Sequence, residues 1–206
     1  MKEHWESVYH NSPVDRLGWY ESRSEPSIKL IELCKLSKDA AILNVGAGAT
    51  TLVDELLELG YQNTIANDIS SKALEELQLR LGSEQSSLVR WIVDDLTSPE
   101  DLLGLELIDL WHDRAVLHFF QDNLSQNAYF NLLRKLVSPG GKVIIAAFNL
   151  DGAPTCSGLP VLRYNAPMLQ EKLGEEFQLI EVFDYTYTMP SGDTREYVYT
   201  LFQRKS

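Results

Sequence analysis

From residue 41 onward, short apolar runs alternate with stretches whose apolar residues recur at helical spacing, and that alternation points to a parallel sheet covered by helices. Strand-like runs fall at Ala41–Val45, Asn63–Asn67, Leu88–Val93, Leu107–Trp111 and Lys142–Phe148. Between the first two, Leu52, Val53, Leu56, Leu57 and Leu59 form one apolar stripe, and Gly60 closes that helix. The next helix starts at Ser70 or Ser71 as cap, carries Ala73, Leu74, Leu77 and Leu81 on one face, and stops at Gly82. Ser98-Pro99-Glu100 marks a short helix start before the fourth strand. Ser125 opens a longer helix that buries Tyr129, Leu132, Leu133, Leu136 and Val137, and Ser138-Pro139-Gly140-Gly141 ends it before the fifth strand.

A loop rich in Gly and Pro, Leu150–Pro160, leads to a short helix around Ala166–Leu173 and two more strand-like runs, Phe177–Tyr187 and Glu196–Gln203. The turn Pro190–Asp193 joins those two runs directly, so they pair antiparallel; a parallel pair would need a long crossover. The expected fold is therefore α/β, a doubly wound Rossmann-like sheet that is mixed at one edge. At 206 residues and 44% apolar content, one core is expected, with residues 1–40 as an N-terminal cap or lid and residues 41–206 as the α/β unit.

Eighteen Lys and Arg against 30 Asp and Glu give a net charge of -12, which repels phosphate backbones and argues against a nucleic-acid partner. Cationic or neutral partners suit such a surface better. Two cysteines, Cys34 and Cys156, make neither a disulfide framework nor a zinc cluster, and no metal-ligand spacing is present. The opening Met1–His10 is polar, and the most apolar run, Val143–Phe148, is far too short for a bilayer. A soluble, cytoplasmic protein without membrane attachment is expected, as a monomer or weak dimer.

In a doubly wound sheet, ligands bind beyond the carboxyl ends of the strands. There, Asn44-Val45-Gly46-Ala47-Gly48-Ala49-Thr50-Thr51 joins the first strand to the first helix, and its glycines permit a tight turn and close backbone approach to a ligand. Taken alone, this is also what an ordinary strand-to-helix turn looks like. Asp68 closes the second strand 20 positions after Gly48, the spacing at which an acid accepts from ribose hydroxyls, although it can equally serve the N-terminus of the next helix. Asp94-Asp95 ends the third strand, where a carboxylate can accept from an adenine amino group. Asp95 is favoured, with Leu96 beside the ring, and the other acid is left to a turn or cap. Thr51 stands where a dinucleotide fingerprint has its third glycine, which disfavours a pyrophosphate site.

These residues resemble the class I S-adenosylmethionine-dependent methyltransferases, and the likeness covers nearly the whole chain from residue 41. It implies a seven-stranded sheet of order 3-2-1-4-5-7-6 with the last strand antiparallel, and S-adenosylmethionine as cofactor. Ile42–Thr51 is similar to the family's first motif, Asp68 to its ribose acid and Asp95 to its adenine acid; Ser138–Val143 is similar to the turn before its fifth strand. The cofactor set is then Asn44, Gly46, Ala47, Gly48, Asp68, Ile69, Asp94, Asp95 and Leu96, with Trp19 and Tyr20 from the N-terminal segment. The opening His4-Trp5 through Trp19-Tyr20, Leu110–Arg114 and Cys156–Pro160 resemble a bacterial branch similar to the protein-lysine methyltransferases that include the citrate synthase enzyme. Asn44, where the family usually has an acid, and Thr50, where it often has a glycine, depart from the pattern.

Methyl transfer requires mainly that an acceptor lone pair be aligned and water excluded. Asp113 and His112, taken to follow the fourth strand, are the candidate catalytic residues, able to orient or deprotonate an amine or hydroxyl on a small molecule or a protein lysine. Against these stand a salt bridge from Asp113 to Arg114 and a bond from His112 to a backbone carbonyl. His118, in an apolar stretch, reads more readily as a core histidine. Trp5, Tyr9, Trp19 and Tyr20 either fold over the cofactor or pack against the domain's side. Two other functions fit parts of the pattern: a nicotinamide-dependent oxidoreductase, for which Asp68 would also serve, and a non-catalytic binding module, to which Asn44 lends weight.

Overall fold

A computed structural model describes residues 1–206. Seven strands form one sheet: β1 Ala41–Val45, β2 Asn63–Asp68, β3 Val89–Val93, β4 Ile108–Arg114, β5 Val137–Phe148, β6 Phe177–Thr188 and β7 Thr194–Arg204. Their order is β3-β2-β1-β4-β5-β7-β6, and all neighbours run parallel except β7, which is antiparallel to both β5 and β6. The family resemblance implied this order, and the short turn Pro190–Asp193 implied the reversed pairing at the edge. Helices α1 Lys2–Asn11, α2 Glu25–Cys34, α3 Leu52–Glu58, α4 Ser71–Ser86, α5 Asn123–Leu136 and α6 Ala166–Leu173 flank the sheet. No helix is long and apolar enough to cross a membrane.

The sheet is covered on both faces because alternate strand residues project to opposite sides. On one face Leu43, Val45, Trp111, Val143 and Ile145 pack with Tyr129, Phe130, Leu133 and Leu136 of α5. On the other, Ile42, Leu110, Ile144 and Ala146 meet Leu30 and Ile31 of α2. Each such side chain, fully buried, contributes about 1.5–3 kcal/mol before entropy is subtracted.

Several boundaries differ from expectation. β4 runs three residues past Trp111, so His112 and Asp113 lie inside a strand and not after it. β5 begins at Val137: the pairing skips from Ile108↔Val137 to Leu110↔Lys142, and Ser138–Gly141 bulge between those rungs instead of forming a separate turn. Gly82, at φ +72°, kinks α4 without ending it, and α5 starts two residues before Ser125 because Asp122 accepts from the Ser125 amide at 2.9 Å. The short helix foreseen at Ser98 forms instead as a turn of 3-10 helix over Asp101–Gly104. The loop after β5 holds a small hairpin of Thr155–Cys156 and Leu159–Pro160. Within residues 1–40, α1 and α2 are regular helices whose periodicity the sequence reading did not extract.

Candidate active site

A cavity of about 390 Å³ opens over the carboxyl tips of β1 to β4, roofed by the N-terminal segment. At the end of β1 the chain turns through Gly46 and Gly48, both at φ +57°, where L side chains are strained. A Cβ at Gly46 would lie 2.1 Å from Cγ2 of Val116, and one at Gly48 would lie 2.4 Å from the Tyr9 hydroxyl. Their positive φ favours glycine at both positions, and a side chain at either would have to displace Val116 or Tyr9. Asn44 and Gly46 line the cavity; Ala47 and Gly48, which the sequence reading placed with them, do not. The Gly48 amide is turned inward and donates to Oδ2 of Asp68 at 2.8 Å.

Asp68 ends β2 and also lines the cavity, as does Ile69 beside it. Its Oδ1 accepts from the Ser70 amide at 2.9 Å, so it does support the start of α4, as the helix-capping alternative required. Each oxygen takes one such bond, and a carboxylate oxygen has lone pairs for a second. Burial pushes the Asp68 carboxyl up to about 6, while the amides of Ser70, Gly48 and Ile69 pull it back.

The adjacent acids that follow β3 divide their work. Asp94 receives the amides of Asp95, Glu100 and Leu102 and so organises the loop that follows the strand. Asp95 accepts from the amide and hydroxyl of Thr97 through Oδ1 alone, which leaves Oδ2 without a protein donor. Both line the cavity together with Leu96, and Asp95 is the one with an acceptor to spare.

On β4 the alternation of side chains separates two neighbours. His112 and Arg114 face the cavity, whereas Asp113 faces α5, fully buried and outside the cavity wall. The Asp113 carboxylate accepts from the amides of Val116 and Leu117 at 3.0 and 3.1 Å and from the Tyr129 hydroxyl at 2.7 Å. Expected among the catalytic residues, it lies instead outside the cavity wall, where it holds the turn after β4. No Asp113–Arg114 ion pair forms either, since Arg114 pairs with Glu21 at 3.1 Å. The two ring nitrogens of His112 are engaged with Asn44 Oδ1 and Ser27 Oγ, each at 2.9 Å, and not with a backbone carbonyl. Burial, with the charge of Arg114 adding to it, pushes His112 down to about 3, so the ring is neutral. His118 is a core residue, fully buried between Phe119 and Phe148.

The roof is aromatic. Trp5, Tyr9 and Trp19 line the cavity, with Trp5 edge-on to Trp19 and Phe119 at centroid distances of 5.4 and 5.0 Å, and the Trp19 indole donates to the Tyr9 hydroxyl at 3.2 Å. Tyr20 lies outside the wall, and its carbonyl accepts from the Tyr187 hydroxyl. Four bonds fasten α1 in place, because the Glu6 carboxylate receives the amides of Ser71 and Lys72 and the hydroxyls of Ser70 and Ser71. Glu6 thereby caps α4 from another helix. The sequence reading missed Ser27, Glu21, Arg114 and Phe119 as cavity residues; the spacing of Leu30, Ile31 and Cys34 behind Pro26 was the available sign that Ser27 sits on a helix facing the sheet.

No family model matches the chain. A curated relative, EEF1A lysine methyltransferase 2 of Danio rerio, is 27% identical over 159 residues, which cover 72% of this chain and 68% of that protein. Among solved structures, the N-methyltransferase NodS of Bradyrhizobium japonicum in complex with S-adenosyl-L-homocysteine superimposes with a TM-score of 0.74 at 17% identity, covering 100% of this chain and 98% of that one. A SAM-dependent methyltransferase of Anabaena variabilis gives a TM-score of 0.77 at 14% identity over 99% and 93% of the two chains. The seven-stranded mixed sheet with its one reversed strand is thus the class I S-adenosylmethionine-dependent methyltransferase fold.

Proposed function

We propose that the protein is a methyltransferase that takes its methyl group from S-adenosylmethionine and delivers it to an amine or hydroxyl. The observation that carries this reading is a cavity over the strand tips into which Asp68 and Asp95 both bring carboxylate oxygens with acceptor capacity left. An adenosyl group offers donors in that pattern, ribose hydroxyls for Asp68 and the adenine amino group for Asp95, with Ile69 and Leu96 as apolar neighbours of the ring. When bound, S-adenosylmethionine supplies an electrophilic methyl on a sulfonium.

The chain's own part is positioning. Asp113 is spent on structure and both nitrogens of His112 are taken, so neither of them removes a proton from the acceptor. The nucleophile then has to arrive with a free lone pair, which an unprotonated amine provides. Trp5, Trp19 and Phe119 exclude water, and their ring faces attract cationic charge.

Enclosure by Trp5 and Trp19 on one side and by Cys156 of the loop after β5 on the other supports a small acceptor. A protein lysine is the second reading, favoured by the likeness to the Danio rerio lysine methyltransferase. The test is calorimetric titration with S-adenosylhomocysteine and, separately, with NAD. Wild type is expected to bind the first alone, and Asp68→Ala to weaken it by a factor of about 100, two charge-assisted bonds at roughly 1.5 kcal/mol each. No binding by wild type at near-millimolar S-adenosylhomocysteine would overturn the proposal.

A further inference from the structure

We infer that Glu21 anchors the methyl acceptor and that this acceptor is an amine, whose N–H the Glu21 carboxylate accepts. This rests on the adenosyl reading of the cavity and narrows the acceptor from an amine or hydroxyl to an amine.

Strand order sets Glu21 apart from the acids given to the nucleoside. Asp95 follows β3 and Asp68 ends β2, whereas Glu21 is paired with Arg114 at the tip of β4, two strands farther along the sheet. Arg114 points on toward the far edge: its Nε donates to the Tyr199 hydroxyl of β7 at 3.0 Å, and its guanidinium lies 5.0 Å from the ring centres of Tyr187 and Tyr197. An adenosyl group spread over β3 and β2 leaves the end of the cavity beside β4 to the acceptor. Glu21 stands there, in company with Trp5, Trp19 and Phe119.

Glu21 is only 6% exposed, yet it borders the cavity. No protein group donates an aligned hydrogen bond to either of its oxygens, because the Arg114 nitrogen that faces Oε1 at 3.1 Å is itself left without an aligned acceptor. Neither oxygen is among the sealed, unpartnered atoms of the interior, so both touch open space. A carboxylate so far from water and so thinly partnered has capacity for a donor brought by a ligand. Arg114 has little left to offer, since Nε serves Tyr199 and another nitrogen donates to the Trp19 carbonyl at 3.1 Å. Its part is to hold Glu21 in place.

Charge then decides between nitrogen and oxygen. Arg114 is the only cation in the cavity wall, His112 being neutral, against Glu21, Asp68, Asp94, Asp95 and Asp122. An acceptor that reacts as an oxyanion is repelled by such a wall. A neutral amine donates its N–H to Glu21 and keeps its lone pair free. As the N–C bond to the methyl forms, the S–C bond breaks with its electron pair left on sulfur, and the positive charge passes from sulfur to nitrogen. That charge arrives beside the carboxylate and among aromatic faces, and the product leaves as an ammonium that has kept its protons.

The test is titration calorimetry on protein loaded with S-adenosylhomocysteine, with two amines and their hydroxyl counterparts as probes. Benzylamine against benzyl alcohol represents a small acceptor, and N-acetyl-lysine methylamide against its 6-hydroxynorleucine analogue represents a lysine in a chain. Wild type should prefer the amine by about tenfold or more in at least one pair, and the pair that discriminates identifies the source of the amine. Glu21→Gln should remove that preference, and Glu21→Asp, which keeps the charge, should retain about threefold of it. Affinity for S-adenosylhomocysteine itself should stay within about twofold in both variants, which a collapsed fold would not allow. Equal binding of amine and alcohol by wild type, no amine binding at about 20 mM, or a loss of S-adenosylhomocysteine affinity in Glu21→Gln would each overturn the assignment. Failure of wild type to take up S-adenosylhomocysteine would instead remove the adenosyl reading first.

Discussion

Asp68 and Asp113 make an instructive pair. Each sits at the carboxyl end of an inner strand, each is at least nine-tenths buried, and burial pushes each carboxyl up to about 6. Around Asp113, three donors from Val116, Leu117 and Tyr129 converge in a closed interior, and Tyr129 is itself held by the Trp111 indole at 3.0 Å. Around Asp68, two backbone donors set the carboxylate and leave the rest of it to the cavity. Burial and a displaced titration are therefore common to an acid committed to the interior and one that keeps acceptors facing a cavity. What separates them is the acceptor capacity left over and the space it faces.

The contrast can be broken in three places, taken here from the largest effect to the smallest. Asp113→Ala strands a buried hydroxyl and two amides and should lower unfolding stability at neutral pH by about 3 kcal/mol or more in denaturant titration. S-Adenosylhomocysteine affinity of the folded variant should stay within about threefold at the same time. A large affinity loss with unchanged stability would return Asp113 to the site. For Asp68 the informative variable is pH. If ribose hydroxyls are its partners, as proposed, the ionised acid accepts from them better than the protonated one, so affinity should be steady above pH 6 and fall through it, by about tenfold between pH 7 and 5. Asp68→Asn should flatten that profile. Stability moves the opposite way: because folding raises this carboxyl above the ordinary 3.8, its ionisation costs folding free energy, and that cost grows as pH rises from about 4 through 6. The smallest effect separates the two acids that follow β3. Asp95→Asn should weaken the ligand by about fivefold, near 1 kcal/mol, while Asp94→Asn should leave affinity within about twofold and loosen residues 94–102 in hydrogen exchange.

Much of this was legible in the residues. Five strand-like runs marked the parallel strands, most plainly β1, β4 and β5, which are covered on both faces, and the four-residue turn Pro190–Asp193 forced the antiparallel pair. Asn44, Gly46, Asp68 and Asp95 could be found because strand tips and local spacing place them. The end of β4 could not. His112 and Asp113 look like loop residues to a reading of polarity, and only their partners, 68 and 16 positions away in Asn44 and Tyr129, make them tolerable inside a strand. Ser27, Glu21 and Arg114 were hidden for the same reason: each is held at the cavity by a contact at long sequence separation. Tyr20 was grouped with Trp19 by proximity in sequence, and the chain's turn sent its ring elsewhere.

The clasp made by Glu6 has one more consequence. Its four bonds land on Ser70, Ser71 and Lys72, and the Ser70 amide at the same corner holds Asp68. The clasp of α1 and the setting of Asp68 thus share a single corner of backbone. Removing the Glu6 carboxylate strips the start of α4 of its anion and leaves the amide that orients Asp68 with less support. A substitution aimed at the N-terminal helix therefore also reaches the acid that borders the cavity.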